Sequence, residues 1–381
     1  MSLCENQTLH TQSNFRLLIV RLGAMGDILH ALPAVTALRL AHPNWQIGWV
    51  VEPRWQPLLK AANSEQGTGH DVAKSTPTSA RDSAMPVVDC LHFAPSREWK
   101  RHPLSAATRR AIGALRRELR AEEYSAVLDL QGAIRSSVIA RMSGCPRRIG
   151  EAAPREWPAQ WLFTERVATH SAHVIEQDVE LASAVAGDAL SAADAQLPAP
   201  LLPVDPDAEA WCATWLATTF PGVSRPIALI TPGAGWGAKR WPPERYAAVA
   251  AGLVERGMYV VVNAGPGEEP LASAIASRRA VALTATLPQL IALTRCIALC
   301  IGGDTGPLHL ASALGRPVVG IYGPTDPSRN GPYGTRARVL RSPDSRRDHS
   351  RRAAPDPGLL TITPDDVLRA ADELLAEESA R

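Results

Sequence analysis

The sequence predicts an α/β protein made of two doubly wound halves that face a central cleft. Three observations carry this expectation. Short β-branched apolar runs alternate with longer stretches of helical periodicity from residue 16 onward, the rhythm of a parallel sheet covered by helices. A stretch with four prolines, 196–206 (QLPAPLLPVDP), breaks that rhythm, which then starts again. The chain has 381 residues, roughly two to three times the length of an ordinary domain.

The first strand is Arg16–Arg21 (RLLIVR), a short run suited to burial on both faces. A loop, Leu22 to Asp27, leads into a helix from about Ile28 to Ala41. Leu29, Leu32, Val35, Leu38 and Leu40 give that helix its period, and His42-Pro43-Asn44 stops it. Gln46–Val51 is the next strand, which completes a right-handed βαβ opening. Residues 63–86 are polar and rich in Gly, Ser, Thr and Pro, and read as a loop. Arg109–Glu123 reads as an amphipathic helix. Ala126–Leu130 reads as a strand, with a helix running on to Arg141. After the proline stretch, strands are expected at Ile227–Thr231, Tyr259–Asn263, Ala298–Ile301 and Val318–Tyr322. Helices are expected near Pro243–Arg256, Leu271–Arg279, Leu287–Thr294 and Pro307–Leu314, then a charged loop over 341–357 and a last helix from about Pro364 to Glu377. Each half reads as Rossmann-like, and the cleft between them is where a ligand is expected. The division is a disordered tail over 1–14, a first domain over 15–200, a second over 201–363, and a C-terminal helix over 364–381 that returns toward the first domain.

Composition narrows the function. With 45% hydrophobic and 20% charged residues a full core forms, which excludes wholesale disorder. A net charge of +2 excludes an obligate nucleic-acid binder and leaves only local basic patches. Six cysteines lie at 4, 90, 145, 212, 296 and 300 without zinc spacing. Cys296 and Cys300 are expected in a core, and free thiols fit a reducing cytoplasm. Met1 to Asn14 lacks the apolar segment of a signal peptide. No apolar run approaches the ~18 residues of a membrane span, so membrane contact is expected to be peripheral.

Three loops carry candidate chemistry, each where a strand gives way to a helix. Gly23-Ala24-Met25-Gly26-Asp27 lets backbone N–H groups approach a ligand, but it lacks the third glycine of a dinucleotide fingerprint. Asp27 there is either a helix cap or a carboxylate on the rim of the cleft, available as a general base. Thr231 to Pro242 holds three glycines and ends in Lys239-Arg240. A Gly-rich loop with a Lys suits phosphate oxygens, against the plainer reading of a surface Lys. Only four of the 40 basic residues are Lys, and Lys239 is the only one after residue 100, which favours a specific role. Gly302 to His309 (GGDTGPLH) puts the N–H groups of Thr305 and Gly306 at a helix start and Pro307 at its first turn, an arrangement suited to a diphosphate. Asp304 there is a cap or a ligand group, and His309 a packing residue or a ligand group. Glu268, in the loop Gly265 to Glu269, is placed to meet a ribose diol or is merely solvated. Arg97, Lys100, Arg101, Arg135, Arg147, Arg148 and Arg155 make the first half locally basic, as a solvated face or as a seat for an anionic acceptor. Phosphate-directed loops plus an acid in the cleft point to a transferase using a nucleotide-activated donor.

The residues also carry a resemblance. RLGAMGDILHALPAVTAL (21–38), AKRWP (238–242) and GGDTGPLHLASALGRPVVGIYGPTDP (302–327) resemble the glycosyltransferase family 9 heptosyltransferases over roughly residues 15–375. WVVE (49–52), DLQGAIRSS (129–137) and PRE (154–156) are most similar to the type I lipopolysaccharide branch of that family. The resemblance implies a GT-B fold and an inverting, metal-independent transfer of heptose from ADP-heptose to Kdo of Kdo–lipid A. No cofactor is implied, since ADP-heptose is a substrate. The implied setting is the cytoplasmic face of the inner membrane, where the protein binds peripherally. Carried over residue by residue, Asp27 matches the catalytic base, and Lys239 the Lys that steadies the donor phosphates. Gly26, Glu268, Asp304, Thr305, Gly306 and His309 match donor-binding positions. Arg97, Lys100, Arg101, Arg135 and Arg155 fall at or near positions that meet the acceptor's anionic groups, although Glu98 interrupts that cluster. The readings that compete with this are a family member with another acceptor, a nucleotide-sugar isomerase of the same fold, and a non-catalytic nucleotide-sugar-binding protein.

Overall fold

The computed structural model describes residues 15–61, 86–187, 190, 197–222, 225–277, 279–347 and 352–379. The tail expected over 1–14 and nearly all of the loop expected over 63–86 lie outside these residues.

The first unit comprises β1 (Arg16–Val20), α1 (Met25–Ala41), β2 (Gln46–Val51), β3 (Cys90–Phe93), α2 (Ser96–Arg101), α3 (Ala106–Ala121), β4 (Ala126–Asp129), α4 (Ile134–Met142), β5 (Arg148–Glu151), β6 (Glu165–Val167) and α5 (Val174–Ala186). The second comprises α6 (Pro206–Thr219), β7 (Ile227–Thr231), α7 (Pro243–Glu255), β8 (Tyr259–Asn263), α8 (Glu269–Ile275), β9 (Ala280–Leu283), α9 (Leu287–Cys296), β10 (Leu299–Gly303), α10 (Gly306–Ala313), β11 (Val318–Tyr322), α11 (Pro327–Asn330), β12 (Ala337–Arg341) and α12 (Pro364–Ser379). Each unit holds one six-stranded parallel sheet, in the order β3-β2-β1-β4-β5-β6 and β12-β11-β10-β7-β8-β9. Strand order reverses between β1 and β4 in one sheet and between β7 and β10 in the other. These are the two points where an open α/β sheet leaves a crevice at its carboxyl edge. All three glycine-bearing loops singled out in the sequence leave strands at these points.

Register between β1 and β2 pairs Ile19 with Trp49, and between β1 and β4 pairs Ile19 with Leu128. These strands are buried on both faces, which is why they read as continuous apolar runs rather than alternating ones. Helix α1 is buried almost all round, down to Thr36 and Arg39. It packs on its own sheet and on α5, and it also meets α10 of the second unit. A helix so placed carries little amphipathic signal. Arg39 pairs with Asp89 and donates to the carbonyls of Pro43 and Trp45, at 3.2 and 2.7 Å. Leu40, expected to share the buried face, is exposed at the outer end of the helix.

Two expectations are corrected. Helix α12 buries Val367, Ala370, Ala371 and Leu374 in the second unit's core, against α7, β11 and β12, so its apolar face does not serve the first domain. Cys296 is exposed at the last turn of α9, whereas Cys300 is fully buried in the central strand β10. The short strands β3, β5, β6, β9 and β12 were not read from the sequence. Charged residues interrupt β5 (RIGE), β6 (ERV) and β12 (ARVLR), and none of the five is a β-branched run like those of the central strands.

The described part of the proline stretch is tied to both units. Leu201 N–H donates to Thr36 Oγ1 on α1 at 3.1 Å. Arg295 on α9 pairs with Glu209 of α6 at 2.6 Å and donates to the carbonyls of Leu202 and Pro203 at 3.3 and 2.8 Å. Arg295→Ala removes all three bonds from a partly buried site, and we expect a loss of about 1–3 kcal/mol of stability. Urea denaturation of the variant tests this, and an unchanged midpoint would show that the connection is held by packing alone.

Candidate active site

The loop at the carboxyl end of β1 is held from behind. Leu22 N–H donates to Gln131 Oε1 at 2.8 Å, and Trp49 Nε1–H to the Arg21 carbonyl at 3.0 Å. Asp129 Oδ1 in turn accepts from the N–H groups of Gln131 and Gly132 at 2.8 and 3.0 Å. Gly23 has φ +136°, and a Cβ there would lie 2.5 Å from Trp55 Nε1, so only glycine fits. Helix α1 starts at Met25, three residues before the sequence-based start. Asp27 therefore sits inside its first turn rather than before it, and its Oδ2 accepts from Ala24 N–H at 2.8 Å. The carboxylate closes the helix start and still keeps 39% of its side chain exposed, with Oδ1 3.7 Å from Arg21 Nη2. Asp27 thus serves the helix start, as the capping reading expects, but from inside the first turn.

Arg21 is buried beside three carboxyl groups, those of Asp27, Asp129 and Asp178. Burial pushes Asp129 up to about 6, against its two backbone N–H donors and Arg21. Burial pushes Asp178, on α5, up to about 7, with Arg21 opposing and Asp27 adding to the shift. The second oxygens of Asp129 and Asp178 have no hydrogen-bond partner. Arg21 opposes both shifts and lies in ion-pair range of Asp27.

In the second unit, Lys239 and Asp304 are drawn together. The Lys239 ammonium forms an ion pair with Asp304 Oδ2 and lies 4.3 Å from the centre of the Trp236 ring. Both side chains are nearly buried. His309 Nε2 lies 3.0 Å from Asp304 Oδ1, and His309 Nδ1 lies 3.2 Å from His30 Nε2 on α1. Read in one direction, His30 donates to His309, His309 donates to Asp304, and Lys239 donates to the other carboxylate oxygen. Burial alone would raise the Asp304 carboxyl, but His309 and Lys239 hold it well below the usual carboxylate range. Burial, with His309, His173 and Arg21 nearby, holds His30 well below the ordinary imidazole value.

Gly26 and Gly306 are where the two units touch. A Cβ on Gly26 would lie 3.0 Å from His309 Cδ2, and one on Gly306 would lie 2.6 Å from Met25 Sδ. Thr305 is the N-cap residue of α10 and makes no side-chain cap. Glu268 lies over the glycine loop of β7: its Oε2 accepts from Gly265 N–H at 3.3 Å, and a Cβ on Gly233 would lie 2.3 Å from the same oxygen. Gly237 is forced by a different neighbour, since a Cβ there would meet the Ala353 carbonyl at 1.7 Å, while Gly235 faces open space.

The five basic residues expected at the acceptor are exposed and all follow the carboxyl ends of first-sheet strands. Arg97, Lys100 and Arg101 lie on α2 after β3, Arg135 lies in the first turn of α4 after β4, and Arg155 follows β5. Glu52 anchors α2, accepting from Ser96 Oγ at 2.6 Å and from Arg97 N–H at 3.1 Å. Arg54 adds a cation beside Arg97 and stacks 4.3 Å from the Trp55 ring centre. Sequence reasoning missed Arg21, His30, Arg54, His173 and Asp178. A histidine or acid on the buried face of a helix carries no local signal. His30 and Asp304 stand 274 positions apart, and only the fold joins them. Among the described residues no group of three or more His, Cys, Asp or Glu side chains is arranged to hold a metal ion.

Residues 112–356 match glycosyltransferase family 9 (heptosyltransferase). The chain belongs to this family. It is 28% identical over 342 residues to lipopolysaccharide heptosyltransferase 1 of Escherichia coli K12, covering 86% of this chain and 94% of that protein. It is 29% identical over 295 residues to lipopolysaccharide heptosyltransferase 2 of Salmonella typhimurium, covering 72% and 81%. The fold matches E. coli heptosyltransferase WaaC with ADP at a TM-score of 0.71 and 24% identity, over 94% of this chain and all of that one. It matches a family 9 glycosyltransferase from Veillonella parvula at 0.74 and 21%, over 95% and 98%. The architecture is GT-B, and by family the chain is a glycosyltransferase of the heptosyltransferase type.

His30 supplies a pH test of the contact between units. Its imidazole is neutral in the fold but titrates near 6.5 once unfolded, so its share of stability is present above about pH 6.5 and is lost as pH falls below it. His30→Gln removes this dependence. We expect the melting temperature of the native chain to fall relative to that of the variant between about pH 7.5 and about pH 5.5. A constant difference across that range would mean that His30 is not held neutral.

Proposed function

We propose that this heptosyltransferase moves heptose from ADP-heptose to Kdo of Kdo–lipid A, in one inverting, metal-independent displacement. The observation that carries the reading is the apposition of the two switch-point loops. Asp27 lies on the first unit's side, and Lys239, Asp304 and His309 on the other, joined where Met25 and Gly26 meet Gly306 and His309. The donor's diphosphate would lie at the start of α10, on the N–H groups of Thr305 and Gly306, with Lys239 as the cation that offsets charge on the departing ADP. Glu268 would take the nucleoside. The acceptor, rich in carboxylate and phosphate, suits the exposed basic residues of the first unit, Arg97, Lys100, Arg101, Arg135 and Arg155. Asp27 would accept the proton of the attacking hydroxyl while ADP leaves from the opposite face of the sugar, with no sugar–enzyme bond formed. Arg21, in ion-pair range of Asp27, would orient that carboxylate. The membrane setting would be peripheral, since no helix among the described residues is long and apolar enough to cross a bilayer.

Incubation with ADP-heptose and Kdo–lipid A, read by mass spectrometry, tests the reaction. Similarity to type 2 enzymes makes a heptosylated acceptor the necessary comparison. Addition only to the heptosylated acceptor would move the chain to the second core step. For the base, Asp27→Asn keeps an oxygen for Ala24 N–H, so melting temperature should hold while kcat falls by at least ~100-fold with donor binding intact. Turnover close to that of the native chain would restrict Asp27 to capping.

Lys239→Ala should act twice. It leaves the Asp304 carboxylate buried with His309 alone, at a cost on the order of 3 kcal/mol of stability. It also removes the phosphate contact, so donor KM should rise by about ten- to a hundred-fold and kcat should fall. A lower melting temperature with unchanged kinetics would make Lys239 the structural partner of Asp304 and nothing more.

A further inference from the structure

Beside the basic residues of the first unit lies an apolar patch that the reaction does not use. Trp157 and Trp161 are 61% and 64% exposed on a short 3₁₀ turn, Trp157–Leu162, with ring centres 4.7 Å apart at 82°. That turn packs on α4, where Ile134 and Val138, one helical turn apart, are 45% and 43% exposed. The two pieces are fastened together, since Ile134 N–H donates to Glu156 Oε2 at 2.8 Å and Glu156 N–H donates to the Gly132 carbonyl at 2.9 Å. Four large apolar side chains thus sit together and outward on a rigid base. Arg135 and Arg155, both exposed, lie immediately beside them. A contiguous exposed apolar patch of this kind, built on two edge-to-face tryptophans and rimmed by charge, marks an interaction surface.

We propose that this patch docks the protein onto an anionic lipid surface, with Trp157, Trp161, Ile134 and Val138 entering the headgroup layer and Arg135 and Arg155 meeting lipid phosphates. Indole rings favour the boundary between apolar and wet regions, and cations beside them add attraction to a negative leaflet. Charge selects the lipid over a second copy of the chain. A symmetric dimer through this patch would gather four guanidiniums in one interface, whereas an anionic surface complements them. The patch continues outward from the carboxyl edge of the first sheet, so docking here would put the acceptor side of the cleft at the membrane. In that respect the inference rests on the proposed lipid-linked acceptor, but the docking itself is measurable without it.

The test uses the full chain with vesicles of phosphatidylcholine, with and without phosphatidylglycerol, and no glycolipid. The native chain should float with the anionic vesicles and its tryptophan emission should shift to the blue. In the Trp157→Ser/Trp161→Ser double variant, partitioning should fall by at least about tenfold. The Trp157→Leu/Trp161→Leu variant, which restores apolar area, should recover most of the loss. Melting temperature and transfer to a deacylated, water-soluble acceptor should be unchanged in both, while the serine variant alone loses transfer to acceptor embedded in vesicles. If the native chain does not float, or the serine variant floats equally well, the proposal is wrong. Self-association that disappears in the serine variant, without vesicle binding, would equally overturn it and assign the patch to a second copy. Absence of transfer by the native chain to either acceptor would count against the proposed reaction and leave the flotation result standing.

Discussion

The arrangement depends on how closely α1 and α10 meet. Their first turns touch through Gly26 against the His309 ring and Gly306 against Met25, at separations that leave no room for a side chain. Because the helices come this near, His30 of one unit reaches His309 of the other, and His309 orders Asp304 for Lys239. Two further bonds fix the same face. His173 Nε2 lies 3.1 Å from the Gly331 carbonyl, and the Tyr333 hydroxyl lies 3.2 Å from Glu176. Glycine thus has a second use here besides exposing backbone N–H groups to a ligand. It sets the spacing between the two halves, and that spacing positions the side chains that face the cleft.

Electrostatics on the two sides of the contact is arranged differently. On the first side one buried guanidinium serves three carboxyls, and burial resolves the surplus by pushing Asp129 and Asp178 up to about 6 and about 7. Asp27 is the most exposed of the three and the one within 4 Å of Arg21 in an ion pair. On the second side a single carboxylate, Asp304, is held charged by a histidine and a lysine. The first arrangement keeps a carboxylate at the rim beside a cation. The second keeps an ammonium near the start of a helix while masking part of its charge until another anion competes for it.

Much of this was legible in the sequence. Strands β1, β2, β7, β8 and β11 are continuous apolar runs and show their boundaries to within a residue, because both faces of each are buried. The loops at 23–27, 231–242 and 302–309 announced themselves through glycine at strand ends. The edge strands were not legible, because strands such as Glu165–Val167 carry charged residues and lack a β-branched run. The helix start at Met25 was missed because Ala24 is not a recognisable cap. What closes that start is Asp27, reaching back to the Ala24 N–H, and this contact looks like chemistry and like capping in the same residue. His30, Arg21 and Asp178 were invisible for another reason. Their meaning lies in neighbours far along the chain, and nothing local marks a buried polar residue as a member of a network.

The two helix starts at the contact are also unequally satisfied. Helix α1 carries Asp27 in its first turn, a negative charge where the helix dipole favours one, and its N-cap N–H is bonded. Helix α10 carries no acid in its first turn, and Thr305 makes no side-chain cap. The nearest carboxylate, Asp304, is engaged by Lys239 and His309 rather than by the helix N–H groups. The unspent positive end therefore belongs to the second unit, beside an ammonium whose present partner is shared. An incoming diphosphate would complete what α10 lacks, whereas the same group at α1 would meet Asp27. This difference, more than the glycine count of either loop, supports the proposal that the donor binds the second unit and that the first unit's acid serves the acceptor.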